Sequence, residues 1–260
     1  MLIEDIRRRG SVRNAVSSCK ACGLRNVGTQ PVPFSGSKSS LLTVVGEAPN
    51  KAADTQIKPF AGTTGLLLST WLGQAGYMDD EVSYANVVSC WPNRTPSNEE
   101  ISRCRTNLLI QLAYLQPKYV LALGTVPLLA LSGLQLKMEF IRGKWFAVEG
   151  LGVNPTPYCL ATYDPWTVLK NSSLTDQVIQ DIMYIRLMIK EEVEPGNHWC
   201  WHPGCMKDID DEYRGLLQCA EHPLIPAGAA KKVKHGQASG TEGGSDPVPG
   251  APGDDGQRLF

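Results

Sequence analysis

The sequence predicts an α/β protein: a three-layer α/β/α domain around a central, mostly parallel sheet, with a small zinc-binding module following it. Two observations lead to the sheet. Short, almost wholly apolar runs recur along the chain, at Leu41 to Glu47 (LLTVVGE), Tyr84 to Val88 (YANVV), Tyr119 to Leu123 (YVLAL) and Tyr158 to Thr162 (YCLAT), and helical patterns separate them. Strands apolar at nearly every position suit a sheet covered on both faces, the setting of parallel strands joined by helical crossovers. A third observation sets the module apart: Cys and His crowd into residues 198–222, beyond the last amphipathic pattern. The expected organisation is a main domain at 1–194, the zinc-binding module at 195–226 and a disordered tail at 227–260. That tail is dominated by Gly, Pro, Ser and mixed charge, and offers too little apolar surface to offset chain entropy.

Taken in order, Leu2, Ile3, Ile6, Val12 and Val16 space one or two short helical turns before Cys19. A Ser/Gly loop leads to the first strand. The polar stretch after it reads as loop, and Thr63 to Gly76 as a helix closed by glycine. Tyr84 to Val88 is the second strand. Ser97 and Glu100 have capping-box spacing and open a helix to about Leu115. Tyr119 to Leu123, Gly124 and a Leu-rich helix through Leu131 follow, then extended segments near Trp145 to Val148 and at Tyr158 to Thr162. A long helix from about Leu174 to Val193 closes the domain. Ligands of such sheets sit beyond the carboxyl ends of the strands. Glu47, Asn86, Gly124, Tyr163 and Asp164 all fall there.

Bulk properties narrow the setting. With 42% hydrophobic and 20% charged residues the composition is that of an ordinary globular protein. A net charge of -1 excludes a global field that draws the chain to nucleic acid or membrane, so a polyanion must be met by a local basic patch. No apolar run approaches the roughly 20 residues that span a bilayer, and MLIEDIRRRG lacks the apolar core of a signal peptide. A cytoplasmic location is expected, where thiols stay reduced, so the eight cysteines read better as metal ligands than as disulfides.

Seven of those eight form two groups. Cys19 and Cys22 make a CxxC, and Cys90 and Cys104 flank the exit of the second strand and the capped helix. Four such thiols suit a tetrahedral zinc or a cubane iron–sulfur cluster, and ligand count does not separate the two. Cys200, Cys205, Cys219 and His222 have the C-x4-C-x13-C-x2-H spacing of a structural zinc site, with His202 as a substitute ligand. So few large apolar residues surround them that metal binding would supply the folding free energy. This segment resembles short zinc-knuckle or treble-clef modules that touch nucleic acid or protein. Cys159, inside a strand, reads as core.

The N-terminal CxxC, VVGEAP, KPFAGTTG, YANVVSCWPNRTPSNEEISRC, VLALG and IRGKW with ATYDPWTVL resemble, in order and spacing, the iron–sulfur uracil-DNA glycosylases called family 4. The likeness covers about residues 15–172. It implies that Cys19, Cys22, Cys90 and Cys104 bind a [4Fe–4S] cluster, that DNA is the partner, and that a uracil or modified pyrimidine is turned out of the stack and cut from its sugar. Phe60 matches the family's stacking ring. Asn86 matches the amide that pairs with the uracil edge, presenting donor and acceptor side by side. Glu47 begins the first motif, and the backbone of Ala48 to Asn50 lines the pocket. Glu47 and Asp54 are the candidates for positioning or activating water.

Two positions depart from the family. Ala53 stands where an acidic residue is usual, with Asp54 beside it. Tyr163-Asp164-Pro165-Trp166 replaces the second motif, so Asp164 occupies the place of a histidine that stabilises negative charge on the departing base. The expectation is therefore a weakened glycosylase, and the alternative a catalytically inactive DNA-binding or regulatory protein. Arg94, Arg142 and Lys144 are candidate phosphate contacts, beside Arg7, Arg8, Arg9, Arg13, Arg103 and Arg105. Trp166 or Leu169 would wedge into the stack that the base leaves. The zinc module is expected to meet a protein partner.

Overall fold

Residues 11–38, 40–148, 156–190 and 231–232 are described by the computed structural model. Five strands form one sheet: β1 (Leu42–Gly46), β2 (Val82–Asn86), β3 (Tyr119–Leu123), β5 (Trp145–Ala147) and β6 (Tyr158–Thr162), in the order β2-β1-β3-β6-β5. Four run parallel, and β5 closes one edge antiparallel to β6. Register aligns the carboxyl ends, with Gly46 opposite Asn86 and Leu123 opposite Thr162. The α/β class with a mostly parallel sheet is as the sequence predicts.

Every residue of β1 and β3 is buried, because helices cover both faces. On one face Val45, Ala85, Val120, Ala122 and Cys159 pack with Leu108 and Leu112 of α4 (Asn98–Leu115) and Leu128 of α5 (Thr125–Ser132). On the other, Leu42, Val44, Leu121, Leu123 and Leu160 meet Leu68 and Trp71 of α3 (Thr63–Gln74) and Val178 and Ile182 of α8 (Thr175–Lys190). Successive strand residues point to opposite sides, which is why one apolar run feeds two cores. Cys159 is a fully buried core residue, as expected.

The remaining helices are short: α1 (Val12–Ser17), α2 (Lys51–Gln56), α6 (Met138–Ile141) and α7 (Pro165–Lys170). Ser97 and Glu100 make the capping box of α4. The loop expected after β1 is instead broken by α2. No apolar stripe announces this helix. Asn50 caps it by accepting from Ala53 N at 2.8 Å, and burial of Ala53 and Asp54 holds it. A two-residue ladder joins β4 (Leu134–Gln135) to β7 (Lys231–Lys232), inside the stretch expected to be disordered. The zinc ligands Cys200, Cys205, Cys219 and His222, with Arg7, Arg8 and Arg9, lie outside the described residues. Among the described residues no helix is long and apolar enough to cross a membrane.

Candidate active site

A cleft of about 670 Å³ opens at the carboxyl ends of β1, β2, β3 and β6. Glu47, Ala48, Asn50, Phe60, Asn86, Arg94, Asp164 and Trp166, singled out from segments far apart in the chain, all line it.

One end is built on close approach. Gly46 ends β1 where a Cβ would stand 2.6 Å from both Asn86 Oδ1 and Phe60 Cζ, so only glycine lets the amide and the ring close over the strand. Phe60 takes a left-handed backbone (φ 55), and its carbonyl packs so tightly on Gly65 of α3 that a Cβ there would overlap it at 1.4 Å. Such a conformation costs on the order of 1–3 kcal/mol and persists only where surroundings over-determine it. Tyr84 backs the ring at 5.6 Å. Asn50 ties the segment down, donating from Nδ2 to Ala61 O at 2.9 Å and to Thr64 Oγ1 at 3.0 Å. Its side chain is thereby committed to shaping the wall. Asn86 is different: it is 5% exposed, and its Nδ2 finds no acceptor within the protein. A buried amide donor left unpaired costs about 1–3 kcal/mol, which a ligand carbonyl would relieve.

The other end is acidic. Asp164 is the N-cap of α7, and its carboxylate accepts from Trp166 N and Thr167 N at 3.0 Å each and from Thr167 Oγ1. Its oxygens are thus engaged as acceptors of three hydrogen bonds. Glu47 is half-buried, and its pKa is raised above the ordinary carboxylate value, first by desolvation and then by the charge of Asp164. Trp166 is 60% exposed on the rim with Lys170 over its ring, and Leu169 is exposed beside it. Arg94 forks onto Glu100 at 2.7 and 2.8 Å, which aligns it at the mouth. Arg94 is largely solvated, so the pair orders a loop more than it stabilises the fold.

Several sequence candidates are not brought to the cleft: Arg13, Arg103 and Arg105 lie outside its walls, and so do Asp54, Arg142 and Lys144. Asp54, expected to activate water, is buried at 4% and turned away: Thr29 N and Oγ1 bind its carboxylate at 2.8 to 2.9 Å. Arg142, expected at phosphates, is bidentate to Asp181 at 2.9 and 3.2 Å, and Thr162 Oγ1 donates to the same carboxylate. Burial pushes that Asp181 carboxyl up to about 6, against the lowering pull of Thr162 and Arg142. Lys144 is also absent from the cleft walls. In exchange, Trp91, Pro92, Thr95, Thr125 and Thr167 line the site without having been singled out. The signal was available for Trp91 and Pro92, which directly follow a proposed cysteine ligand.

Behind this wall the four thiols of Cys19, Cys22, Cys90 and Cys104 are free and gather from three segments. Burial, then the nearby Cys104, Cys22 and Cys19, push the Cys90 thiol up to about 12, so all four share one neighbourhood. Ala21 N donates to Cys19 Sγ at 3.5 Å, and Ser89 N to Cys104 Sγ at 3.3 Å. Among the described residues, no three His, Cys, Asp or Glu side chains are gathered tightly enough to hold a single ion.

Comparison with known proteins gives a consistent result. The family described as the Uracil DNA glycosylase superfamily matches residues 33–183. A Type-4 uracil-DNA glycosylase of Pyrobaculum aerophilum is 32% identical over 173 residues, covering 64% of this chain and 87% of that protein. One from Thermotoga maritima is 32% identical over 186 residues, with 70% and 94% covered. One from Archaeoglobus fulgidus is 31% identical over 177 residues, with 65% and 87% covered.

Proposed function

The chain belongs to the uracil-DNA glycosylase superfamily, and from that premise we propose that it binds a uracil or modified pyrimidine turned out of DNA and hydrolyses its N-glycosidic bond slowly. The observation that carries this reading is the buried, unpartnered Asn86 Nδ2 beside Phe60. An amide there pairs with a C=O and N–H edge, as uracil presents and cytosine does not. Phe60 stacks on the base, and the backbone at Ala48 and Asn50 bounds it. Glu47 orients water toward the sugar carbon, its raised pKa making it a stronger base than an ordinary carboxylate. Asp164 faces negative charge that develops on the leaving base and raises the barrier. Arg94 meets the backbone phosphate, and Trp166 fills the gap in the stack.

Asp164 also favours a second reading, a protein that holds the extruded base without cutting it. One assay separates the two. A labelled uracil-containing oligonucleotide is incubated with the protein and treated with alkali: scission at the abasic site identifies the enzyme, and an intact shifted band identifies the binder. Asp164→His should raise uracil release, and no rise would count against the weakened-enzyme reading.

Cys19, Cys22, Cys90 and Cys104 would hold a [4Fe–4S] cluster. The donor set fits, since four reduced thiols share one neighbourhood and N–H groups point at two of the sulfurs. Held by these four thiols, the cluster would tie together the segments that carry them. Brown colour, iron and acid-labile sulfide in anaerobically isolated protein would test this, and colourless protein would refute it. The module at 195–226 would hold Zn2+ and meet a protein partner; Cys219→Ser should then lose one equivalent of zinc.

A further inference from the structure

The four thiols are not equivalent. Cys104 lies 5% exposed, and three polar groups surround its sulfur: Ser89 N at 3.3 Å, Asn107 Nδ2 at 3.7 Å and Ser89 Oγ at 3.8 Å. As a free thiol, Cys104 donates to that hydroxyl. As a metal-bound thiolate it has no proton, so the hydroxyl would turn and donate to sulfur. Ser89 and Asn107 are themselves buried, at 1% and 8%, where polar side chains are rare unless something holds them.

Both are held from behind. Ser89 O accepts from Val32 N at 2.6 Å. Asn107 O accepts from Gln111 Nε2 at 2.9 Å, and Gln111 Oε1 in turn accepts from Phe34 N at 2.7 Å. One short segment, residues 32–34, therefore braces both donors against a single sulfur. Cys19 instead accepts from Ala21 N at 3.5 Å on the exposed side.

Resting on the cluster reading above, we infer that Ser89 and Asn107 are positioning residues for the cofactor: they stabilise Cys104 as a charged ligand, raise the reduction potential of the bound cluster and slow loss of iron at that corner. Hydrogen bonds to ligating sulfur stabilise the more negative, reduced state, and partners behind a metal ligand tune affinity as well as orientation.

The test compares anaerobically isolated wild type with Asn107→Leu and Ser89→Ala. Wild type holding iron and labile sulfide establishes the cluster independently. Release of iron to a chelator, followed at the visible band, should then be on the order of 10-fold faster in Asn107→Leu. Its reduction potential by voltammetry should be lower, with the same direction and a smaller effect in Ser89→Ala. Unchanged release and potential in both variants of an iron-loaded protein overturn the inference and leave the cluster standing. Wild type without iron overturns both. If Asn107→Leu does not fold, Ser89→Ala decides alone.

Discussion

The two ends of the cleft were shaped under different demands. Around Gly46, Phe60 and Asn86 the ring and the amide close tightly over the strand, and one buried donor is left without an acceptor. Around Glu47 and Asp164 two carboxylates face the same space, and Trp166 N, Thr167 N and Thr167 Oγ1 are spent on Asp164 itself. On the reading proposed above, recognising a base and breaking its bond would fall to separate residues, so one could be kept while the other declines.

The largest test of that division is Asn86→Ala. It should lower uracil binding and release by on the order of 100- to 1,000-fold, since a preorganised donor to the base is removed. Cleavage kinetics and a gel shift against the cytosine-containing control would measure it. Equal loss on both oligonucleotides would erase the distinction between the ends. Gly46→Ala comes next. Its Cβ must displace the ring and the amide, and overpacking of this kind costs about 1–3 kcal/mol, visible as a lowered Tm together with weakened binding.

Asp164→Asn works on the opposite end. Asparagine caps helices about as well as aspartate, so α7 should survive and the charge alone disappear. A rise in kcat of roughly 10-fold, equivalent to about 1.4 kcal/mol off the barrier, is expected, with uracil affinity little changed. The smallest effect is in pH. Glu47 acts as a base only when ionised, and its pKa is raised, so activity should fall with acid at a pH above the ordinary carboxylate range. In Asp164→Asn that limb should move to lower pH, because one of its two causes is gone. In Glu47→Gln it should vanish along with most activity.

How much was legible follows the same boundary between local and distant forces. Strands β1, β2, β3 and β6 and the α4 capping box are written in neighbouring residues, chain order at the strand ends located Glu47, Asn86 and Asp164, and the family resemblance located Phe60. Helix α2 was not readable, because its cap and the burial of Ala53 replace an apolar stripe. Asp54 looked like any acid near a motif until Thr29, 25 residues away, claimed its carboxylate. Arg142 looked like a phosphate ligand until Asp181, 39 residues away, did the same. Ionic side chains carry no local mark of the partner they will find.

The left-handed backbone at Phe60, wedged on Gly65, bears on how DNA is searched. A platform already locked in shape cannot adapt to what slides past, so it gains little from mismatched guests. On the proposed reading the nucleotide would do the moving, and an unstable pair, which swings out most often, would be sampled first.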